Sequence, residues 1–418
     1  MTIYKSGAES GNDRSMYVFG VLCLEDATIP NNKEVGLYWI KKAIDKGNID
    51  AMVKLAQIYQ EGQIVTKDAN EALQLMRKAA ERQDPEATNG LAMLLLSLPP
   101  VESKTRLEAI ELLRKASPWS AAAKNNLAHV LETSPGSTNE DESRLFQLYR
   151  EAADAGDVTA NYNLGIAFLR GRGVSLDAVQ AAKFLRIAAD AGSADAAAQL
   201  GEMYRQGLGV PPSDTEALKL YRKAEKVNNP IALNRIGEMY FAGRVVSESY
   251  SDALKYYRLA ESFGNADAAR NLGEMYKEGY GVTKDMKEAA RLYHEAANNG
   301  SIRALVDLGI LYRDGTGETK NYAEAAKLFQ RAAADANNAD AQYLLGLMYE
   351  KGQGVTRSFT EALNLYNKAR DSGHAEAMYR LGLMYRRGNG VEKNETMARH
   401  YLQLAQAAIG DYMVDKAR

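Results

Sequence analysis

The sequence predicts an all-α fold, a right-handed α/α superhelical solenoid of about eleven helix-turn-helix repeats, and three observations carry the prediction. A Gly or Ala recurs at one phase, at Gly20, Ala56, Ala92, Ala128, Gly165, Gly201, Gly237, Gly273, Gly309, Gly346 and Gly382, with eight intervals of 36 residues and two of 37. An alanine stands five residues before each of the last ten, from Ala51 to Ala377. Within each period the apolar residues follow helical spacing. Self-similarity at this period marks supersecondary units that bury their apolar faces only by stacking on one another.

One period, 266–299, shows how a unit is built. Ala268, Leu272, Met275 and Tyr276 fall at i, i+4 and i+7, the stripe of an amphipathic first helix. Gly273 sits inside that helix, where it costs about 1 kcal/mol relative to alanine, so close approach of a partner helix is expected there. Gly279 ends the helix in the left-handed conformation. Gly279-Tyr280-Gly281-Val282 makes the connection, with Val282 tucked between helices, and Asp285 caps a second helix through Ala289, Leu292, Tyr293 and Ala296. Asn298, Asn299 and Gly300 close it.

Ala-x-x-x-Leu-Gly-x-x-Tyr-x-x-Gly-x-Gly-Val, followed by Glu-Ala-x-x-x-Tyr-x-x-Ala-Ala, resembles the Sel-1-like repeat, a relative of the tetratricopeptide repeat. The resemblance covers nearly the whole chain. Residues 1–13 read as the end of a truncated preceding repeat, because Tyr4 to Asn12 resembles the second-helix end at Tyr149 to Asp157. Residues 14–84 are N-terminal repeats, the first of them divergent. Residues 85–157 are two divergent repeats, whose glycine turns are replaced by Leu98-Pro99-Pro100-Val101 and Ser134-Pro135-Gly136-Ser137. Regular repeats fill 158–409, and 410–418 is a C-terminal tail. The resemblance implies adaptor, secretion, immunity or signalling roles, mostly in bacteria.

Composition narrows the chemistry. A net charge of −2 with 25% charged residues speaks against a nucleic-acid binder, which carries a basic excess. Cys23 is the sole cysteine, so no disulfide forms within the chain and a reducing compartment fits. We expect a cytoplasmic location, or a periplasmic one if a leader has been removed, with no membrane insertion; the sequence leaves the oligomeric state open.

Several features imitate active sites. Gly-x-Gly occurs at Gly171/Gly173, Gly207/Gly209, Gly279/Gly281, Gly315/Gly317, Gly352/Gly354 and Gly388/Gly390, always at one phase and with no strand before it, so these are turns rather than phosphate loops. His129, His294, His374 and His400 lack metal-ligand spacing, though His129 can face the groove. Tyr204, Tyr240, Tyr276, Tyr312, Tyr349 and Tyr385 recur in phase and read as core. Asn299-Gly300-Ser301 and Asn394-Glu395-Thr396 match the glycosylation sequon, an unremarkable coincidence in a chain this rich in Asn. No catalytic residues, cofactor or metal are expected.

Function is then expected on the surface that varies while the core repeats. By the tetratricopeptide resemblance, that surface is the concave groove lined by the first helices, at three residues before the key Gly and one, four and five after it. In repeats five to seven the stripe reads Ala198, Glu202, Arg205; Asn234, Glu238, Phe241; and Arg270, Glu274, Lys277. Glu202, Glu238 and Glu274 either form an acidic ladder for a basic peptide or are neutralised by Arg205, Arg235, Arg270 and Lys277 three or four residues away. Repeats eight to ten offer Val306, Ile310, Arg313; Tyr343, Leu347, Glu350; and Tyr379, Leu383, Arg386 with Arg387. Aromatic and aliphatic groups flanked by arginines suit a peptide groove. Packing against a neighbouring repeat is the competing reading, above all for Leu347 and Leu383. Tyr162, Ile166 and Leu169 form a smaller patch. The chain is therefore expected to be a non-catalytic scaffold with a protein or peptide ligand. The alternatives are the recognition region of a larger enzyme, for instance a caspase-like peptidase, and a glycan-binding solenoid.

Overall fold

The computed structural model describes residues 1–99, 102–133, 139–335 and 338–415. Pro100 and Val101 of the first aberrant turn, and Ser134-Pro135-Gly136-Ser137 of the second, lie outside the described residues. Among those described there are twenty-three helices and no strand. The chain divides into two compact units, Met1–Ser213 and Asp214–Arg418. The first holds a short helix Thr2–Glu9, five helix pairs, and the helix Ala194–Gln206; the second holds Asp214–Glu225 and five more pairs, ending with Glu395–Asp415. In each unit every helix packs on the next, so the fold is a stacked all-α solenoid.

The recurrent alanine five residues before the key Gly is the third residue of each first helix. In Ala266–Glu278 that residue is Ala268, fully buried, and its N–H donates to the Asn265 side chain at 2.8 Å. Asn48, Asp84, Ser120, Asp157, Ser193, Ser301, Asn338 and His374 cap their helices the same way. A cap of this kind stabilises a helix by about 1 kcal/mol. Each such helix thus starts at a fixed place with a small side chain turned into the stack. Gly279 ends Ala266–Glu278 at φ +86, and the Asp285 N–H closes the turn on the Tyr276 carbonyl at 2.9 Å. Asp285 caps the second helix, Met286–Asn298, as expected, and Val282 packs half-buried beneath the turn.

The mid-helix glycine exists for the second helix of its own repeat. A Cβ at Gly273 would lie 2.5 Å from Tyr293 Cε1, and one at Gly346 2.6 Å from Tyr366 Cε1. The ring twenty residues on packs against the glycine, and Tyr293 and Tyr366 are fully buried. Burying such a ring contributes roughly 2–3 kcal/mol, which outweighs the helical cost of glycine. The first-helix tyrosines differ from the expectation of core placement. Tyr240 and Tyr276 are half-buried, with hydroxyls accepting hydrogen bonds from Arg222 at 3.1 Å and Arg258 at 2.9 Å. A phenol at the edge of the stack keeps its polar tip on a cation; the deep tyrosines are those of the second helices.

The second glycine of each turn seats one repeat on the last. Gly281 takes the place where a Cβ would meet Tyr250 Cβ at 2.8 Å, and Gly390 meets Phe359 in the same way. Tyr250 and Phe359 open the second helices of the preceding repeats.

Candidate functional site

The first helices touch along a polar seam. The residue three before the key Gly pairs with the one two before it in the following repeat. Asn126 Nδ2 donates to Asn89 Oδ1 at 2.9 Å, Asn163 Nδ2 to Asn125 Oδ1 at 2.8 Å, and Asn271 Nδ2 to Asn234 Oδ1 at 3.0 Å. At the next step the amides give way to charge, and Arg270 Nε donates to Asp307 Oδ2 at 2.6 Å. Burial raises the Asp307 carboxyl above its ordinary range, and the Arg270 charge offsets part of that. This corrects one sequence expectation: Arg270 serves the next repeat, not Glu274. Ala198 and Asn234, assigned to the groove by spacing, are buried, Asn234 at this seam.

The glutamate ladder is not an open acidic surface. Glu202 is buried and accepts from Arg205 Nη2 at 2.9 Å; Glu238 accepts from Arg235 Nη1 at 2.8 Å; Glu274 accepts from Lys277 Nζ at 3.1 Å. Two of these carboxylates also face second-helix tyrosines. The Tyr293 hydroxyl donates to Glu274 at 2.9 Å, and Glu238 lies close enough to Tyr257 to raise its hydroxyl pKa further beyond the effect of burial. Glu350 takes the Tyr366 hydroxyl at 2.7 Å and Glu132 that of Tyr149 at 2.9 Å. Where the buried ring is Phe329, with no hydroxyl to satisfy, the residue after the key Gly is Ile310. Leu185 likewise goes with Ile166, and Leu402 with Leu383. The carboxylates are present where a buried phenol needs an acceptor.

Cavities open on the first-helix face among the described residues. One, of about 840 Å³, crosses four successive first helices, Pro230–Ala242, Ala266–Glu278, Ile302–Asp314 and Ala339–Lys351. Its floor carries the Arg270–Asp307 and Arg235–Glu238 pairs, with Val306 beside them. Its rim carries Asp267, Arg303 and Asp340, all exposed. A second cavity of about 650 Å³ in the first unit is lined by Val53, Gln57, Asn89 and Met93. A third, of about 300 Å³, is lined by His129, Phe146, Tyr162 and Ile166. In the first unit these lining positions, apart from Phe146 of the second helix Asn139–Asp154, are those expected, three before and one after the key residue. In the second unit the cavity sits nearer the helix starts, two, three and six before it, so Asp267, Arg303, Asp307 and Asp340 were missed. Their phase was readable; the tetratricopeptide register pointed past them.

The remaining expected residues divide between packing and exposure. Tyr343 is half-buried, its ring stacked on His374 at 4.6 Å between centroids and its hydroxyl near Arg380. Leu347 packs on the cluster of Tyr366 and Leu381, and Ile310 on that of Phe329. Leu383 is half-buried. Arg313 is held by the neighbouring Asp314, Nε to Oδ1 at 2.7 Å. Tyr379 is 47% exposed, and Arg386 and Arg387 are exposed in the last turn of Ala375–Arg387. Tyr162 is half-buried in its cavity, and burial raises its hydroxyl pKa. His374 caps its helix through Nδ1, while His294 and His400 lie on second helices. Among the described residues there is no group of three or more His, Cys, Asp or Glu able to hold a metal, and no helix long and apolar enough to cross a membrane.

The Sel1 repeat model matches ten segments: 14–48, 49–84, 121–157, 158–193, 194–228, 230–262, 266–301, 302–337, 339–374 and 375–405. The chain belongs to the Sel1 repeat family. The match includes 121–157, despite its altered turn, and passes over 85–120. Among solved structures, c5321 of uropathogenic Escherichia coli, a protective antigen displaying the Sel1-like repeat fold, aligns with a TM-score of 0.63 and 24% identity over 100% of this chain and 90% of that one. A Sel1 repeat protein from Oxalobacter formigenes aligns with a TM-score of 0.51 and 30% identity, over 59% of this chain and 96% of its own. Among curated proteins nothing matches. As a Sel1 repeat solenoid, the chain has the architecture of a protein-interaction scaffold.

Proposed function

We propose that this Sel1 repeat protein is a non-catalytic scaffold that binds another protein, through an extended peptide segment, along its first-helix face. The observation that supports this most is the cavity of about 840 Å³ laid across four consecutive repeats. The first helices there have equal length and recur every 36 or 37 residues, whereas the lining side chains change from Asp267 to Arg303 to Asp340. A peptide running across the repeats meets a different side chain at each step, which is how a solenoid acquires specificity. Exposed Tyr379, Arg386 and Arg387 extend the same face with anchors favoured at interfaces.

The test is selection from an unbiased peptide-display library on the intact chain, followed by binding of the selected peptides to two triple variants. One replaces Tyr343, Tyr379 and Arg386 by alanine; the other replaces Asp267, Arg303 and Asp340 by alanine. At least one variant should lose the peptides with helicity unchanged. Full retention by both overturns the proposal, and loss of helicity in the first assigns its aromatic residues to the core.

A further inference from the structure

We infer that the cavity across the second unit takes an extended peptide whose charges alternate basic, acidic, basic at three-residue spacing. This rests on the peptide-scaffold reading and specifies its partner. Asp267, Arg303 and Asp340 are each the second residue of their first helix, so they stand in one row across successive repeats. All three are exposed and line the same cavity. Asp267 and Arg303 have no ion-pair partner among the described residues. Asp340 is approached by His374 Nε2 at 3.2 Å, yet its side chain remains 80% exposed.

The floor below the row is already neutralised, because Arg270 pairs with Asp307 and Arg235 with Glu238. What the cavity shows a ligand is therefore the row itself, negative, positive, negative, with Asp335 as a further acidic lining residue. Packed first helices lie about 8–10 Å apart. An extended chain advances about 3.3 Å per residue, so three residues span one repeat. The complementary ligand carries Lys or Arg, then Asp or Glu three residues on, then Lys or Arg three further. Ile302, 38% exposed, and half-buried Val306 flank Arg303, so an apolar residue beside the central acid completes the fit. These contacts are rim contacts, screened over about 8 Å at physiological salt, so the preference is strongest at low ionic strength.

The experiment uses the intact chain and three labelled heptapeptides at low salt, read by fluorescence anisotropy. The probes are Lys-Thr-Ser-Glu-Thr-Ser-Lys, its sign-reversed counterpart Glu-Thr-Ser-Lys-Thr-Ser-Glu, and the scramble Lys-Lys-Glu-Thr-Ser-Thr-Ser. The first should bind about tenfold or more tighter than either other, since three exposed pairs each contribute up to about fivefold. The variant Asp267→Lys/Arg303→Glu/Asp340→Lys should prefer the sign-reversed probe. Asp267→Asn/Asp340→Asn, which keeps the side-chain shapes, should lose the preference and its salt dependence. Equal binding of the scramble, an unchanged preference in the reversed variant, or no binding of the first probe overturns the inference. If library-selected peptides occupy this face without the charge pattern, the inference fails while the scaffold reading stands.

Discussion

Alanine at Gly354 would carry its Cβ to 2.6 Å from the Ala323 backbone nitrogen, and closer still to the Tyr322 carbonyl. Those atoms begin the helix Tyr322–Ala333 of the preceding repeat, so they cannot swing aside as a flexible side chain would. Ordinary contact needs about 3.5 Å, so relief requires the two repeats to separate by about 1 Å. Overpacking of that kind costs about 1–3 kcal/mol, and holding alanine at φ +70 costs a further 1–2 kcal/mol or so. The sum is about 2–5 kcal/mol. Gly352, two residues earlier, supplies an internal control. It has φ +68, but its nearest neighbour is Arg357 Cβ at 3.1 Å, within its own turn. Gly352→Ala should therefore cost only the conformational part, about 1–2 kcal/mol. Urea unfolding followed by circular dichroism measures both variants. Equal destabilisation, or a milder effect at Gly354, would refute the claim that the second turn glycine seats one repeat on the next.

Three further outcomes follow from the polar contacts. Tyr293→Phe should cost about 1 kcal/mol in urea unfolding, since the ring stays and only the bond to Glu274 is lost; a cost above about 3 kcal/mol would mean the hydroxyl holds more than that bond. Tyr149, Tyr257, Tyr293 and Tyr366 all have hydroxyl pKa values raised above the ordinary 10.0, chiefly by burial. The unfolded chain therefore releases these protons first, so stability is full below pH 10 and falls above it, by up to about 1.4 kcal/mol per pH unit for each tyrosine. An unfolding midpoint unchanged between pH 9 and 11 would contradict this. Arg270→Ala should cost about 2–4 kcal/mol at pH 7 by leaving Asp307 buried and uncompensated, and adding Asp307→Asn should return most of it. With the Arg270 charge removed, less offsets the burial that raises the Asp307 pKa, so lowering the pH toward 4 should protonate the carboxyl and also narrow the loss. A loss independent of pH would point to packing instead.

The fold was legible because its determinants lie within one period. Gly273, Gly279 and Asp285 each act on residues of their own repeat, and all do what their spacing implied. The relations that span repeats were not legible. Arg270 has acids within its own helix, so pairing with Asp307 is visible only once the following helix is placed beside it. Gly354 read as a turn residue because its neighbour, Tyr322, lies 32 positions back in sequence. One relation could have been read in advance: a carboxylate beside the key Gly accompanies a tyrosine at plus twenty, and Ile310 accompanies Phe329. That pairing explains Glu238 and Glu274 without a ligand and shifts attention to the helix starts. The tyrosine stripe separates only in the structure, Tyr343 going to His374 and Arg380 while Tyr379 faces out.

Side-chain footprinting by hydroxyl radicals, on the intact chain with and without a library-selected peptide, tests the central claim most directly. The account predicts protection on first helices, at Ile302, Val306 and Tyr379, with second-helix and turn residues such as Val179, Ile187 and Trp119 unchanged. Protection confined to Val179, Ile187 or Trp119 would contradict it.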